Sequence, residues 1–381
     1  MVERPPRGRS PQLDTRPVLA QLFDRGQIRL ERADVLDRQP EPLPAGFDFD
    51  RIEGMLLGLA IGDALGNTTE GQSPATRKSD HGEITGYLPN PHDAHGRGVG
   101  LPSDDTQLAF WTLEQITADG GVDPERLARR LSGQRIFGIG STVREFVGRF
   151  KDEGRPWEEA GVHSAGNGAL MRIAPVVVSH LRDPTPALWS DAALAAMLTH
   201  NDPSSTAACV AFVRLLWDAL RRPDPPRPGF WLHRFLEIAR PLEGDTHLEP
   251  RFGPLKGQFK GSLSDFTDRA VHDALHAKKP TRDACDTWGS GAFLLETLPS
   301  VIYILERHAH SPRDAILRAV NDTRDNDTIA AIVGGAMGAL HGRKALPQEW
   351  IEGLLGRTGE HDDGRVFELI AESRARFWDV S

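Results

Sequence analysis

Residues 52–66 read IEGMLLGLAIGDALG, with glycine at 54, 58, 62 and 66. A spacing of four puts these glycines on one bare stripe of a helix whose other faces are apolar. Each glycine inside a helix is about 1 kcal/mol less favourable than alanine. Four in register therefore predict a second helix packed directly on that backbone, at a buried central position. Two carboxylates belong to this neighbourhood, Asp63 within the run and Glu70 in GNTTEGQ just beyond it. A buried carboxylate without a partner is very costly, so both are expected to face a polar cavity or a metal. Glu70 is read as an active-site residue, the alternative being a glutamate on a surface turn.

Working outward, acidic residues crowd two further helix entrances. Residues 101–116, LPSDDTQLAFWTLEQI, place Ser103, Asp104, Asp105 and Thr106 ahead of a helix carrying Leu108, Trp111, Leu113 and Ile116 at roughly helical spacing. Residues 321–335, NDTRDNDTIAAIVGG, place Asp322, Asp325 and Asp327 with two threonines ahead of an apolar helix running from Thr328. Aspartate is a good N-cap, and capping accounts for one of the three, Asp325 or Asp327. Oxygen-only donors suit a hard cation such as Mg²⁺, Mn²⁺ or Ca²⁺, whereas zinc would recruit His or Cys. If the two entrances converge, four carboxylates meet and must repel or take up protons unless cations neutralise them. A two-metal site is the economical reading; two independent N-caps are the bland one.

The 381 residues fit one large domain or two ordinary ones, and 39% apolar residues suffice for a core. A net charge of -9 offers no basic footprint, so nucleic acid is not expected as a main partner. Cys209 and Cys285 form neither a disulfide framework nor a metal knuckle and fit a reducing, cytoplasmic setting. The N-terminal MVERPPRGRSPQ lacks an apolar segment, so no secretory signal is expected. No uncharged run reaches the roughly eighteen apolar residues of a membrane span.

Residues 1–46 form an N-terminal extension rich in proline and arginine, with apolar patches at Leu19, Leu22, Phe23, Ile28, Leu30 and Leu36. It is read either as a tail lying along its own domain or as an arm that reaches a partner or crosses the active-site mouth. The domain proper is expected over 47–381. Helical segments are expected at Pro124–Leu131, Val143–Phe150, Asp191–Leu198, Thr206–Leu220 and Val271–Ala277, while period-2 alternation is scarce. An all-α domain follows. Arg221–Gly261 reads as a proline-rich insertion or lid-like excursion, with a short helix near Phe230–Ile238.

Three more segments carry chemistry. Residues 163–175, HSAGNGALMRIAP, hold a Gly-Asn-Gly turn feeding an apolar helix, a geometry that offers backbone N–H groups to an anion such as a diphosphate. Residues 199–205, THNDPSS, place His200 at a helix end, and residues 286–300, DTWGSGAFLLETLPS, hold a glycine turn with Trp288 and Phe293 available to stack on a base.

In this order, GMLLGLAIGDALG, Glu70, SDDTQ, GNGALMR, THND, GSGAFLLETLPS and DNDTIAAIVGGAMGA resemble the ADP-ribosylglycohydrolase family over about residues 50–345. The resemblance implies an orthogonal multi-helix domain with a binuclear Mg²⁺ or Mn²⁺ centre, acting as a hydrolase that frees ADP-ribose from a modified acceptor, most simply a protein. Position by position, Ser103, Asp104, Asp105, Asp325, Asp327 and Thr328 match the family's metal ligands, and Glu70 its glutamate near the scissile bond. Glu70, Asp104 and Asp327 are accordingly the expected catalytic residues. Ser164, Gly166, Asn167 and Gly168 are expected to hold the diphosphate through backbone N–H groups, with His200 adding a hydrogen bond. Adenine is expected near Gly289, Ser290 and Gly291, between Trp288 and Phe293. Gly138 in FGIGSTVRE stands where arginine-directed members carry an acid, which leaves the acceptor open among arginine, serine, another group or a base. Some bacterial members are immunity proteins against ADP-ribosyltransferase toxins, a second role available to residues 1–46. A third reading, a catalytically silent relative, is opposed by the retention of all six ligand matches and Glu70.

Overall fold

The glycine stripe meets its partner. In the computed structural model, which describes residues 13–90, 98–251 and 254–379, helix Asp50–Gly66 runs antiparallel against helix Asn326–His341. Gly54 faces Gly338 and Gly342, Gly58 faces Gly334, Gly62 faces Ala330, and Gly66 faces Asn326 and Asp327. A Cβ on any of the four would come within 3.0 Å of backbone atoms of the partner. Backbone cannot swing aside as a side chain can, so only glycine permits this approach. The contact fixes the register of the pair and brings the end of the first helix, which carries Asp63 and is followed by Glu70, against the acidic start of the second.

Around this pair the chain is helical, and among the described residues pairing in the extended sense is limited to three isolated bridges. The all-α expectation holds. Helix Asp104–Asp119 crosses the pair near its acidic end, and helices Pro203–Arg221 and Pro312–Asp322 flank it. None of the helices among the described residues is long and apolar enough to cross a membrane.

Two expectations about outlying segments resolve on the structure. Residues 1–12 of the N-terminal extension lie outside the described residues. From Leu13 onward the chain lies along its own domain as a strap: helix Arg16–Asp24 buries Leu19 and Leu22, and Ile28, Leu30, Val35 and Leu36 join the core. Polar ties fasten it, with Trp189 Nε1 donating to the Arg38 carbonyl at 2.7 Å, Trp217 Nε1 to that of Glu41 at 2.9 Å, and Asn201 bridging Gln27 and Arg29. Of the two readings for this segment, the tail is the one residues 13–46 adopt. The segment 221–261 is also less of an excursion than its prolines suggest. Its helix extends over Phe230–Glu243, buries Trp231, Phe235 and Leu242, and packs on helices Pro203–Arg221 and Leu263–His276. It ends in buried Glu243, whose carboxylate accepts from Ser204 Oγ, Thr246 Oγ1, Leu263 N and both Ser264 N and Oγ. The helix is therefore part of the core; residues 252–253 of this segment lie outside the described residues.

Candidate metal centre and substrate cavity

The two acidic stretches meet. Asp63, fully buried on the glycine helix, reaches across to the start of helix Asp104–Asp119 and accepts from Ser103 N at 2.9 Å, Thr106 N at 2.9 Å and Thr106 Oγ1 at 2.6 Å. A carboxylate at a helix N-terminus satisfies orphan N–H groups and suits the positive end of the dipole. This tie sets where Asp104 and Asp105 sit. From the opposite side Thr328 Oγ1 donates to Asp105 Oδ2 at 3.3 Å, joining residues 223 positions apart. Ser103 is the N-cap of its helix, accepting from Asp105 N and donating to Asp105 Oδ2 at 3.1 Å. Asp325 occupies the N-cap position of helix Asn326–His341 but makes no side-chain cap bond. Its carboxylate turns instead to Asn167, whose Nδ2 donates to Oδ2 at 2.6 Å.

Two groups of carboxylates result, Asp63 with Asp105 and Asp327, and Glu70 with Asp325 and Asp327, the oxygens of each lying within 4.8 Å of one another. Asp327 is common to both. Asp104 lines the same cavity beside them. Burial, reinforced by the charges of its neighbours, pushes the carboxyls of Asp104, Asp105 and Asp327 well above the ordinary carboxylate range. Burial raises Asp325 to about 7 in spite of its bond from Asn167. Glu70 stands at the exposed rim, its carboxyl raised by the desolvating wall behind it and then by Asp63. The residues fit a cation: among the described residues Asp105 Oδ1 is buried without a hydrogen-bond partner, an open acceptor that a cation could satisfy. The donors are all oxygen, the chemistry of Mg²⁺, Mn²⁺ or Ca²⁺.

A cavity of about 410 Å³ opens over these acids. Its far wall is the Ser164–Gly168 turn, where Ser164 Oγ bonds Thr142 Oγ1 at 2.9 Å, and its floor there is His200. Gly166 and Gly168 are bare against the imidazole; a Cβ on either would stand 3.3 Å from His200 Nε2. Here the structure corrects part of the sequence reading. Asn167 does not offer its N–H to a ligand, because that group donates to the Ala292 carbonyl at 3.0 Å, and its side chain serves Asp325. Nor does an α-helix follow the turn: Leu170–Arg172 and Ala174–His180 are 3₁₀ stretches, which lack the aligned N-terminus the expectation relied on. His200 is buried, and burial followed by the charge of Arg172 depresses its pKa to about 3, so the ring is neutral.

In the Gly289-Ser290-Gly291 turn, Gly289 and Gly291 line a second cavity that shares Glu70, Arg251, Ala292 and Asp325 with the first, while Ser290 supports the acidic turn. Ser290 is fully buried, and its carbonyl accepts from Arg324 N at 3.2 Å and Asp325 N at 3.0 Å, so it props the acidic turn from behind. Gly291 is bare because the Glu296 carboxylate occupies the place of its Cβ. Trp288 faces the core, its Nε1 bonded to Ser300 Oγ at 2.6 Å and its ring against Tyr303, and cannot stack on a ligand in this cavity. Phe293 does line the cavity.

Sequence reading missed two arginines. Arg251 lines the cavity mouth, its guanidinium 4.6 Å from the Phe293 ring centroid and forked onto buried Glu296 at 3.2 Å. Arg77, buried, donates to Thr69 Oγ1, to the carbonyls of Thr69 and Gln72, and to that of Thr323 at 2.7 Å. With Asn326 Nδ2 on Thr69 Oγ1 and Gly71 N on the Arg324 carbonyl, it moors the Glu70 turn to the acidic turn. Neither arginine belongs to a periodic pattern or a motif, and nothing in its flanking residues sets it apart from surface arginines.

Comparison with known proteins agrees with this geometry. The chain is 27% identical over 315 residues to an ADP-ribosylarginine hydrolase of Pseudomonas putida (strain GB-1), covering 80% of this chain and 74% of the relative. It is 26% identical over 330 residues to the ADP-ribosyl-[dinitrogen reductase] glycohydrolase of Rhodospirillum rubrum, covering 84% and 96%. A solved structure titled ADP-ribosylglycohydrolase-related protein complex superposes with a TM-score of 0.63 at 26% identity, covering 87% of this chain and 99% of that one. Residues 45–378 match the ADP-ribosylglycohydrolase family, and with two acidic helix entrances joined over a shared cavity, the chain belongs to that family of glycohydrolases.

Proposed function

We propose that this protein is a divalent-cation-dependent hydrolase that cleaves the glycosidic bond between ADP-ribose and a modified protein acceptor. The observation that carries this is the pair of carboxylate groups sharing Asp327, all but Glu70 buried, in a cavity also lined by Ser164–Gly168, His200 and Phe293. Asp104, Asp105, Asp325 and Asp327, with the hydroxyls of Ser103 and Thr328, would hold two Mg²⁺ or Mn²⁺ ions. Asp63 acts mainly as an anchor, since it already accepts from Ser103 and Thr106. When bound, the cations supply Lewis acidity toward the distal ribose hydroxyls and a water.

The chain's own residues do the rest. Asn167 and the Ser290 carbonyl hold Asp325 in place, and Asp63 holds the helix that carries Asp104 and Asp105. Glu70 stands at the rim, where burial of its inner side and then the charge of Asp63 raise its pKa and favour the protonated form, so it can deliver a proton to the leaving nitrogen or oxygen as the C1″ bond breaks. The electron pair leaves with the acceptor, C1″ gains oxocarbenium character, and a water oxygen bonds to it while its proton returns to Glu70. The Ser164–Gly168 wall and His200 receive the diphosphate end, and Phe293 offers a ring face to adenine. Two buried free thiols, Cys209 and Cys285, accord with a cytoplasmic setting.

The test is release of free ADP-ribose from ADP-ribosylated arginine, serine and nucleic-acid conjugates with Mg²⁺ or Mn²⁺ and with chelator. Asp104→Ala and Asp327→Ala should lose turnover, and Glu70→Gln should keep ADP-ribose binding while losing rate. If no conjugate gives cation-dependent release, the proposal fails. The toxin-blocking role drew on a free N-terminal arm; residues 13–46 are committed to their own domain, which leaves that role without support among the described residues.

A further inference from the structure

Arg172, from the GNGALMR segment, is fully buried, yet its guanidinium bonds no carboxylate in the described structure. Nη2 donates to the Ala195 carbonyl and to Thr199 Oγ1, both at 2.8 Å, while Nε and Nη1 are buried without partners. The nearby thiol of Cys209 is pushed by burial up to about 12 and so brings no negative charge. Burying a cation without an anionic partner is expensive, and one hydrogen bond to the Ala195 carbonyl does not account for it.

What the guanidinium does is orient one hydroxyl. Thr199 Oγ1 accepts from Arg172, and it lies 2.8 Å from His200 Nδ1. A hydroxyl has one proton to donate. No other acceptor for it is found among the described residues, so that proton goes to Nδ1. The imidazole then accepts at Nδ1 and must carry its own hydrogen on Nε2. That nitrogen lies against bare Gly166 and Gly168, on the cavity wall. A second proton on the ring would place two donors on Thr199 Oγ1 beside a buried cation. We propose that Arg172 and Thr199 are positioning residues that lock His200 as a neutral Nε2–H donor, so that the ligand group seated at the Gly166–Gly168 wall must be a hydrogen-bond acceptor.

The ligand's identity rests on the proposed function, where that acceptor is an oxygen of the ADP-ribose diphosphate or adjoining ribose. The relay itself does not depend on it, and it is read without turnover. Protein labelled with ¹⁵N in the histidine rings is followed by long-range ¹H–¹⁵N correlation from about pH 5.5 to about pH 8, where an ordinary histidine would titrate. The His200 signals are assigned by their loss in His200→Gln. The expected pattern is a protonated Nε2 and an unprotonated Nδ1 at every pH. Thr199→Val should let the Nδ1–H tautomer appear, and Thr199→Ser should restore the single form. An imidazolium at the acidic end, an Nδ1–H ring in the parent, or a Thr199→Val variant identical to the parent would overturn the relay. The parent spectrum decides the tautomer even where a variant fails to fold. ADP-ribose should shift the Nε2 resonance, and Thr199→Val should weaken its binding about 3- to 10-fold, the range of one hydrogen bond. If the tautomer is locked but ADP-ribose leaves it unmoved, the relay stands and the proposed substrate does not.

Discussion

Replacing Asp327 with asparagine should stabilise the cation-free protein and abolish its response to divalent cations. Asp327 is 2% exposed and belongs to both carboxylate groups, with partner oxygens within 4.8 Å. At about 5 Å and an effective dielectric of about 20, two unit charges repel by about 3 kcal/mol. Part of this is already relieved because burial and mutual repulsion favour the protonated carboxyls, so the expected gain on substitution at neutral pH is roughly 1–3 kcal/mol. The sign follows from linkage. Asp325 titrates at about 7 in the folded protein against 3.8 for an ordinary aspartate, and its neighbours are shifted the same way. A raised carboxyl favours the folded state below its unfolded pKa and loses that contribution as pH rises to the folded value. The cation-free parent should therefore weaken between about pH 4 and about pH 7. A cation at a hundredfold excess over its Kd adds about 2.7 kcal/mol per site. Differential scanning fluorimetry with Mg²⁺ or with EDTA at two pH values reads all of this as shifts of several degrees. A variant less stable than the parent in EDTA, or one with an undiminished Mg²⁺ shift, would refute the electrostatic argument.

Gly58→Ala should destabilise by roughly 2 kcal/mol or more in urea titrations, because the added Cβ meets the Gly334 backbone and outweighs the roughly 1 kcal/mol helix preference of alanine; Gly86→Ala, with nothing within 4 Å, should change little. Asn167→Ala frees Asp325 and should weaken cation affinity at least about tenfold by calorimetry. Phe293→Ala should reduce ADP-ribose affinity about tenfold, the scale of one base-aromatic stack, whereas Trp288→Phe, buried on Ser300, should leave it unchanged. Truncation before Phe47 uncovers the apolar seat of Leu19, Leu22, Ile28 and Leu30 and should lower the urea midpoint, contrary to the behaviour of a dispensable arm.

Sequence alone determined the features that are written in local pattern. Four glycines at a fixed spacing demanded a partner backbone, because bare glycine surface is unfavourable unless something packs on it, and paired aspartates ahead of two apolar helices pointed to a shared cation site, with two independent N-caps as the alternative. The order of those motifs carried the family. Only the tertiary structure decided which helix answers the glycines, that Asp63 and Thr328 pull the two entrances together, and that Asn167 and Ser290 support Asp325 instead of a ligand. It also turned Trp288 inward, laid the strap from Leu13 along the core, brought Arg251 to the cavity, and set Arg77 and Arg172 behind the Glu70 turn and His200. These assignments are hydrogen bonds between residues tens to hundreds of positions apart. Such a bond leaves no periodicity and no composition at either end, so it exists only once the chain has closed on itself.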